Sequence, residues 1–446
     1  GRGRQGKNKT EKTAYTCTEE DTMKGAFKTT KTVALATTIL AGASVAQADE
    51  ITFLCYQDGN ECDVIGEMIP AFTEATGHTV KMDTVGYDVI RDQLENQLQT
   101  DAAPDVARVT NLGGLNQYYL DLAPYVDTAA WEANYGATLP WFRAPGGEDK
   151  GVYGWMTQLT VTGPYVNVSL FDDAGVDMPG EGATWDDWAA ALMEIKDATG
   201  ILGGLAIDRT AHRIAGPAFS YGAKFFDDAG NPILVDDGFR KFAETFVGWH
   251  KSGLMPAEGW PAGSGTQYRN AAPLFQSGDV AMHMSGSWMI NNYAANITDF
   301  DWKAVPAPCG DGGCGAMPGG AALTAFKSTK SPEAAAAFID FMASTENAEK
   351  FAVETNNISA NQALQASGID YAKADPAVAA ALSTFASNAG KAAETTPQAY
   401  TFQGYNKNFV IYGVIPDYLT QAITGEITLD EALAAIDADV AAKIAE

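Results

Sequence analysis

Residues 51–85 read ITFLCYQDGNECDVIGEMIPAFTEATGHTVKMDTV, and the spacing of their apolar positions sets the architecture. ITFLC at 51–55 is a short β-rich run, closed by the polar turn Gln57-Asp58-Gly59-Asn60. Val64, Ile65, Met68, Ile69 and Phe72 then recur at helical spacing up to Gly77, a residue suited to the left-handed position that ends a helix. HTVKMDTV at 78–85 alternates as a second strand. Beyond it, residues 88–100 predict one amphipathic helix and PDVARVT at 104–110 a third strand. Strands alternating with helices of this length predict βαβ units, hence an α/β fold with a parallel sheet.

The same grammar returns further on. LTVTGPYVNVSLFDDAG is a strand leading into a short helix stopped at Gly175. Thr184-Trp185-Asp186-Asp187 opens a helix as a short-armed capping box, Ser331-Pro332-Glu333 opens another with Pro at its first position, and Thr428 with Glu431 opens the last. Ala335, Phe338, Ile339 and Met342 predict the buried face of the second of these, and Leu429, Leu433, Ile436, Val440 and Ile444 that of the last. Residues 140–155 and 256–270 lack such a pattern and are rich in Gly, Pro and Trp. Loops of that composition on a rigid sheet are where ligands are held.

A chain of 446 residues, 46 % hydrophobic and 19 % charged, can bury a large core and is expected to form two lobes. Its net charge of −27 would repel a phosphate backbone, which excludes nucleic acid as a partner. Residues 1–22 are a polar, basic extension. From Met23 the chain reads MKGAFKTTKTVALATTILAGASVAQA, in which Lys24, Lys28 and Lys31 precede an apolar run ending in Ala46-Gln47-Ala48. This pattern predicts a secretory signal peptide, residues 23–48, cleaved after Ala48; the run is too short, and too interrupted by Thr37, Thr38 and Ser44, for a membrane span. Cleavage would leave 21 basic against 52 acidic residues, a charge of −31. No lipobox cysteine stands at the site, so a free periplasmic protein is expected. Cys55, Cys62, Cys309 and Cys314 remain as two locally spaced pairs. In an oxidising compartment each pair would close a small loop, with three connectivities formally open; metal ligation is disfavoured by the spacing and by histidines that lie far away.

Catalytic signatures are missing. There is no G-x-S-x-G elbow, H-E-x-x-H helix or Walker A loop. Residues 310–315, GDGGCG, match G-x-G-x-x-G but lack the preceding strand and following helix that a dinucleotide site needs, so a disulfide-clipped turn is expected. Asp doublets such as Asp172-Asp173, Asp186-Asp187, Asp227-Asp228 and Asp236-Asp237 read as helix starts and turns. Neither a cofactor nor a metal is expected.

Several segments taken in order resemble the extracellular solute-binding proteins of ABC transporters, specifically the maltose-binding-protein-like family 1. They include Phe72-Thr73-Glu74-Ala75-Thr76-Gly77, Ala103-Pro104-Asp105-Val106, Gly151-Val152-Tyr153-Gly154 and the run from Val166 to Gly175. Others are Thr184-Trp185-Asp186-Asp187, Phe275-Gln276-Ser277-Gly278-Asp279-Val280-Ala281-Met282, Gly286-Ser287-Trp288, Pro318-Gly319-Gly320 and Ser331-Pro332-Glu333-Ala334-Ala335. The resemblance covers about residues 50–446. It implies a two-lobed fold, each lobe a mostly parallel sheet flanked by helices, with a ligand cleft between lobes. Lobe 1 would hold residues 49–160 and 302–345, lobe 2 residues 161–301 and 346–446.

It also implies site residues. The loop after the first strand would supply Tyr56, Gln57, Asp58 and Glu61, pre-organised by a Cys55–Cys62 bridge. The loop after the third strand would supply Arg108, Thr110 and Asn111, and Thr110 departs from the acidic residue common there. Trp155 and Gln158 would come from the crossover segment, Trp288 would be a stacking aromatic, and Gly319 and Gly320 would bring backbone N–H groups to the ligand. Trp260, Tyr268 and Arg269 lie in the Gly-rich loop, and Tyr221, Asn357, Tyr405 and Asn406 in segments the family uses for late contacts. Aromatic planes suit the C–H face of a pyranose, and Asp, Asn, Gln and Arg its hydroxyls. The expected function is therefore a periplasmic binding protein, a monomer and not an enzyme, that closes on a mono- or oligosaccharide and delivers it to ABC permease subunits in the inner membrane. The alternatives are the same fold carrying a polyamine or glycerol-phosphate-type solute, and a secreted polysaccharide hydrolase or lyase.

Overall fold

The structure is a computed structural model that describes residues 48–260, 268–371, 374–395 and 398–446. The segment expected to be a signal peptide, residues 23–48, lies outside the described residues except for Ala48.

The opening segment folds as its pattern predicts. Strand β1 (Glu50–Tyr56) leads into helix α1 (Glu61–Thr76), whose Val64, Ile65, Met68 and Phe72 are buried. Gly77 ends the helix in the left-handed region at φ 80°, where its N–H reaches Thr73 O. Strand β2 (Thr79–Val85) then pairs parallel to β1. Where one helix was expected over 88–100 there are two, α2 (Tyr87–Asp92) and α3 (Leu94–Leu98), broken at Gln93 with φ −120°. The buried residues Ile90, Leu94 and Leu98 fall every fourth position, a row that a straight helix would rotate by about 80° over two steps; the break at Gln93 returns it to the core. Strand β3 (Val106–Val109) follows, buried throughout.

The centre of the molecule is β4 (Gly154–Asn167), fourteen residues of which all but Leu159 are buried. Beyond it come β5 (Gly203–Ile207), helix α4 (Ala211–Ser220), β6 (Val280–Gly286), helix α5 (Ile290–Asn296), β7 (Trp302–Ala304) and β8 (Pro318–Ala325). The sheet order is β2-β1-β3-β8-β4-β6-β5, with β7 paired to β4 off this path. Parallel pairs lie toward the two ends, β1 with β2 and β3 at one and β5 with β6 at the other. The middle is antiparallel, because β8 joins β3 to the first part of β4 while β6 and β7 join its second part.

Two large cores flank this seam. The first gathers β1, α1, β3 and the N-terminal part of β4 with Leu323, Phe338, Ile339 and Met342, and takes in Phe351 and Leu364. The second gathers Trp185, Trp188, Leu205, Phe242, Phe246 and Trp260 with Met317, Phe402, Ile415 and Leu433. The chain passes between them along β4, at the start of β8 and again after Leu364. The capping boxes at Thr184–Asp187 and Thr428–Glu431 are both formed, and Pro332 stands at the first position of its helix, whose Ala335, Phe338, Ile339 and Met342 are fully buried. Residues 310–315 are the turn of a hairpin in which Cys309 pairs across to Cys314 and is disulfide-bonded to it. Among the described residues no helix is long and apolar enough to cross a membrane.

Thr184→Ala removes the acceptor for Asp187 N–H and the partner of the Asp187 carboxylate. It is expected to lower stability by about 1 kcal/mol in urea unfolding monitored by circular dichroism, with an unchanged m-value.

Candidate functional site

Side chains converge where parallel strands end. Tyr56 ends β1 and Asp58 follows it, Tyr87 and Arg91 follow β2, and Thr110 follows β3; Arg209, Thr210, His212 and Arg213 follow β5, and Trp288 follows β6. With Gln158, Thr160, Gly320, Gln403, Phe409 and Tyr412 they line a cleft with a cavity volume of about 190 Å³. Carboxyl ends of parallel strands leave loops and helix N-termini on one edge, which is why ligands bind there in open α/β sheets.

On the first-core wall the loop after β1 is held rigidly. Cys55 and Cys62 are disulfide-bonded across it with Cα atoms 6.0 Å apart. The Glu61 carboxylate accepts from Asp58 N–H at 3.1 Å and Gly59 N–H at 3.0 Å. Arg108, fully buried, donates to Tyr56 O at 2.7 Å and lies 4.3 Å over the Tyr56 ring. Tyr87 packs on Tyr56 and shares a hydrogen bond with Thr110 Oγ1. Burial, and then the neighbouring Glu61, push the Asp58 carboxyl up to about 6 against the pull of Arg108 and Arg213.

The opposite wall rests on Asp208, which is 1 % exposed. Its carboxylate meets His283 Nε2 at 2.9 Å, accepts from Arg213 Nε at 3.0 Å and Ala271 N–H at 2.9 Å, and meets Tyr268 OH at 3.3 Å. His283 in turn reaches Tyr293 OH. Burial alone would raise Asp208; His283 and Arg213 instead hold it down at about 2. His212 is pushed well below the ordinary imidazole value by burial and by Arg213, so it is neutral and its Nδ1 accepts from Arg213 Nη1 at 2.8 Å. The Arg213 guanidinium lies 4.1 Å over the Trp288 ring.

The walls touch across the mouth. Tyr87 meets Tyr268 edge-on at 5.8 Å and Arg91 lies 5.5 Å over the same ring. At the other end an amide ladder joins Asn60 Oδ1 to Asn291 Nδ2 at 2.6 Å, and Asn291 Oδ1 to Asn356 Nδ2 at 2.5 Å.

Of the residues expected from the sequence, the cleft brings together Tyr56, Asp58, Thr110, Gln158, Tyr268, Trp288 and Gly320. Gln57, Glu61, Arg108 and Asn111 stand behind its wall, where Glu61 and Arg108 support the loop. Trp155 packs on Phe351 and Trp260 on Phe246, both buried in the cores. Arg269 adjoins the cleft only through its carbonyl, which accepts from Arg209 N–H. Tyr221 packs on Phe242, Tyr405 on Phe226, Asn406 is exposed, and Asn357 uses its carbonyl to bind Tyr371 OH. The two glycines answer packing needs: a Cβ on Gly320 would lie 2.4 Å from Gln158 O, and one on Gly319 3.0 Å from His212 Nε2. Sequence reading missed Tyr87, Arg91, Asp92, Thr160, Arg209, Thr210, His212, Arg213, Gln403, Phe409, Tyr412 and Gly413. For Tyr87 and for residues 209–213, a strand followed at once by polar and aromatic residues was an available signal. Among the described residues no cluster of His, Cys, Asp and Glu could hold a metal ion.

The sequence profile of the bacterial extracellular solute-binding protein family matches residues 63–349. The chain belongs to that family. No curated protein matches it in sequence. Solved structures of the solute-binding proteins share its fold. An ABC substrate-binding protein from Listeria monocytogenes in complex with cycloalternan is 18 % identical with TM-score 0.74, covering 90 % of this chain and 100 % of that one. The GacH receptor of Streptomyces glaucescens, solved unliganded and with acarbose, is 20 % identical with TM-score 0.71, covering 87 % and 97 %. A solute-binding protein from Agrobacterium vitis with bound D-mannitol is 19 % identical with TM-score 0.69, covering 89 % and 98 %. Like those solute-binding proteins, this one has two α/β lobes.

Two variants test the wall. The folded-state value of Asp58 is raised, so its contribution to stability is full below pH 3.8 and is lost as pH rises through 6. Asp58→Asn is therefore expected to stabilise the ligand-free protein at pH 8 by roughly 1–3 kcal/mol and to give little gain at pH 4, as read by melting temperatures at both pH values. Replacing Cys55 and Cys62 together by Ser is expected to cost about 2 kcal/mol by freeing the loop, with earlier unfolding in guanidinium.

Proposed function

We propose that this protein is the ligand-carrying component of an ABC importer and that its cargo is a carbohydrate. The observation that carries the reading is the cleft itself, where ring planes alternate with hydrogen-bonding groups. Tyr87, Tyr412 and Phe409 give apolar surface for C–H groups, while Asp58, Thr110, Gln158, Thr160 and Gln403 offer donors and acceptors for hydroxyls. Gln158 is 1 % exposed and its Oε1 has no partner among the described residues, so a hydroxyl donor would satisfy an acceptor that is costly to leave unmade. The sugars and sugar alcohol held by the three relatives agree with this reading.

Cleavage after Ala48 would release the protein to the periplasm as a monomer. The lobes follow the partition 49–160 with 302–345 and 161–301 with 346–446, with residues 302–317 exchanged to the second lobe and 346–364 to the first, as their core packing supports. Because the crossings between cores are few, the lobes can rotate as bodies and close on ligand. The closed shape would be the signal to the permease, and the protein would perform no bond chemistry.

Calorimetric titration against a panel of mono- and disaccharides, after refolding to strip co-purified ligand, is expected to show saturable binding at micromolar Kd or tighter, about −8 kcal/mol, and the same sugar should raise the melting temperature. Binding of amino acids or polyamines with silence across the sugars would refute the carbohydrate assignment, and release of reducing ends from polysaccharides would refute the absence of catalysis.

A further inference from the structure

The cleft is richer in arginine than the chain around it. Acidic residues outnumber basic ones by 56 to 29, yet three of the seven arginines beyond residue 47, Arg91, Arg209 and Arg213, line this one cavity. Two of them lie over ring faces that a neutral sugar would otherwise use, Arg213 on Trp288 and Arg91 on Tyr268.

Arg213 is the most constrained. Its Nε is fixed by Asp208, its Nη1 by neutral His212, and its plane by Trp288, and Asp208 is itself anchored by His283 and by Ala271 N–H. Among the described residues Nη2 donates to nothing. Nη2 keeps both its hydrogens and Nη1 one of its two, so a guanidinium gripped on its plane and at Nε still has two nitrogens to offer a planar acceptor as a fork. The entropy of ordering this long side chain is spent before ligand arrives. Arg213 is carried on the first turn of the ten-residue helix α4, where its own N–H turns back to Thr210 O at 3.2 Å, those of Ala211 and His212 have no intrahelical acceptor, and the positive end of the helix borders the cavity. Thr210, at the cap of this helix, makes no capping hydrogen bond with its side chain and also lines the cleft. Across the cavity, the buried Gln158 Oε1, without a partner among the described residues, marks the place of a hydroxyl donor.

We propose that the cargo is an acidic sugar, a uronate or uronate-ended disaccharide, whose carboxylate is received by Arg213 at the N-terminus of α4. A single negative charge fits better than a phosphomonoester, because Asp208 already offsets part of the arginine charge and Asp58 stands on the opposing wall. This assignment rests on the carbohydrate reading above and narrows it. The ring faces and Asp58 would serve the sugar's C–H surface and hydroxyls, and the fork its C6 carboxylate.

The test compares matched pairs on the purified full chain: D-glucose with D-glucuronate, D-galactose with D-galacturonate, and galactobiose with digalacturonate, by calorimetry at constant ionic strength. The expected result is that at least one uronate binds ten times or more tighter than its neutral counterpart. Arg213→Gln should reduce that preference to threefold or less. Because this variant leaves Asp208 short of a partner and can fail to fold, Arg213→Lys, which keeps the charge but cannot form the fork, is measured beside it and should lose most of the preference. Neutral sugars binding as tightly as the uronates, or tighter, would overturn the acidic-sugar assignment and leave the carbohydrate reading standing. Silence from every sugar would overturn both. A uronate preference retained in full by Arg213→Lys would overturn the placement of the carboxylate on Arg213.

Discussion

The whole arrangement depends on one strand belonging to two cores. β4 gives its first part to β8 and the first core and its second part to β6, β7 and the second core. Both its faces are buried, and a strand buried on both faces cannot shift register without exposing apolar side chains or burying polar ones. The two halves of the sheet are therefore joined through residues 158–162 of one continuous strand. Gln158 and Thr160 lie at that junction, and it is there that the cleft opens. The site floor is thus built on paired strand backbone, and its walls on loops and helices.

Those walls contain buried charge, which is costly to desolvate unless paired. Arg108 is compensated by Glu61, 3.9 Å away, and by Tyr56 O; Asp208 by His283, Arg213 and a backbone N–H. Replacing such groups by apolar residues of equal volume is often neutral or favourable for stability, so their value here is positional. Arg108 and Glu61 fix the backbone that carries Asp58, and Asp208 fixes the direction of Arg213. The Asp58 carboxylate makes no ion pair within 4 Å among the described residues, and burial beside Glu61 raises its pKa against the pull of Arg108 and Arg213.

What could be read in advance was local. The turn from β1 into α1, the left-handed Gly77 and Gly175, the capping boxes and the disulfide-clipped hairpin all depend on residues within a few positions of one another. Tyr56, Asp58 and Thr110 were legible through the family resemblance, which places them at the ends of recognisable strands. Trp260 was misplaced because a Gly- and Pro-rich neighbourhood looks alike whether its aromatic faces a cleft or packs, as here, on Phe246 of the helix Asp237–Lys251. Tyr412 and Phe409 sit on the helix Asn408–Thr424, some two hundred residues from the strands they face, and only the packing of that helix against α4 brings them in. Arg213 was hidden in another way: its role comes from Asp208 and His283, and β5 and β6 become neighbours only in the folded sheet.

The ladder from Asn60 through Asn291 to Asn356 joins the two lobes with amide groups alone. Amide–amide hydrogen bonds carry no net charge, so dissolved ions do not screen them, whereas contacts between exposed charges weaken as the Debye length shrinks from about 30 Å at 0.01 M to about 3 Å at 1 M. This fastening therefore does not weaken with ionic strength as a contact between exposed charges would.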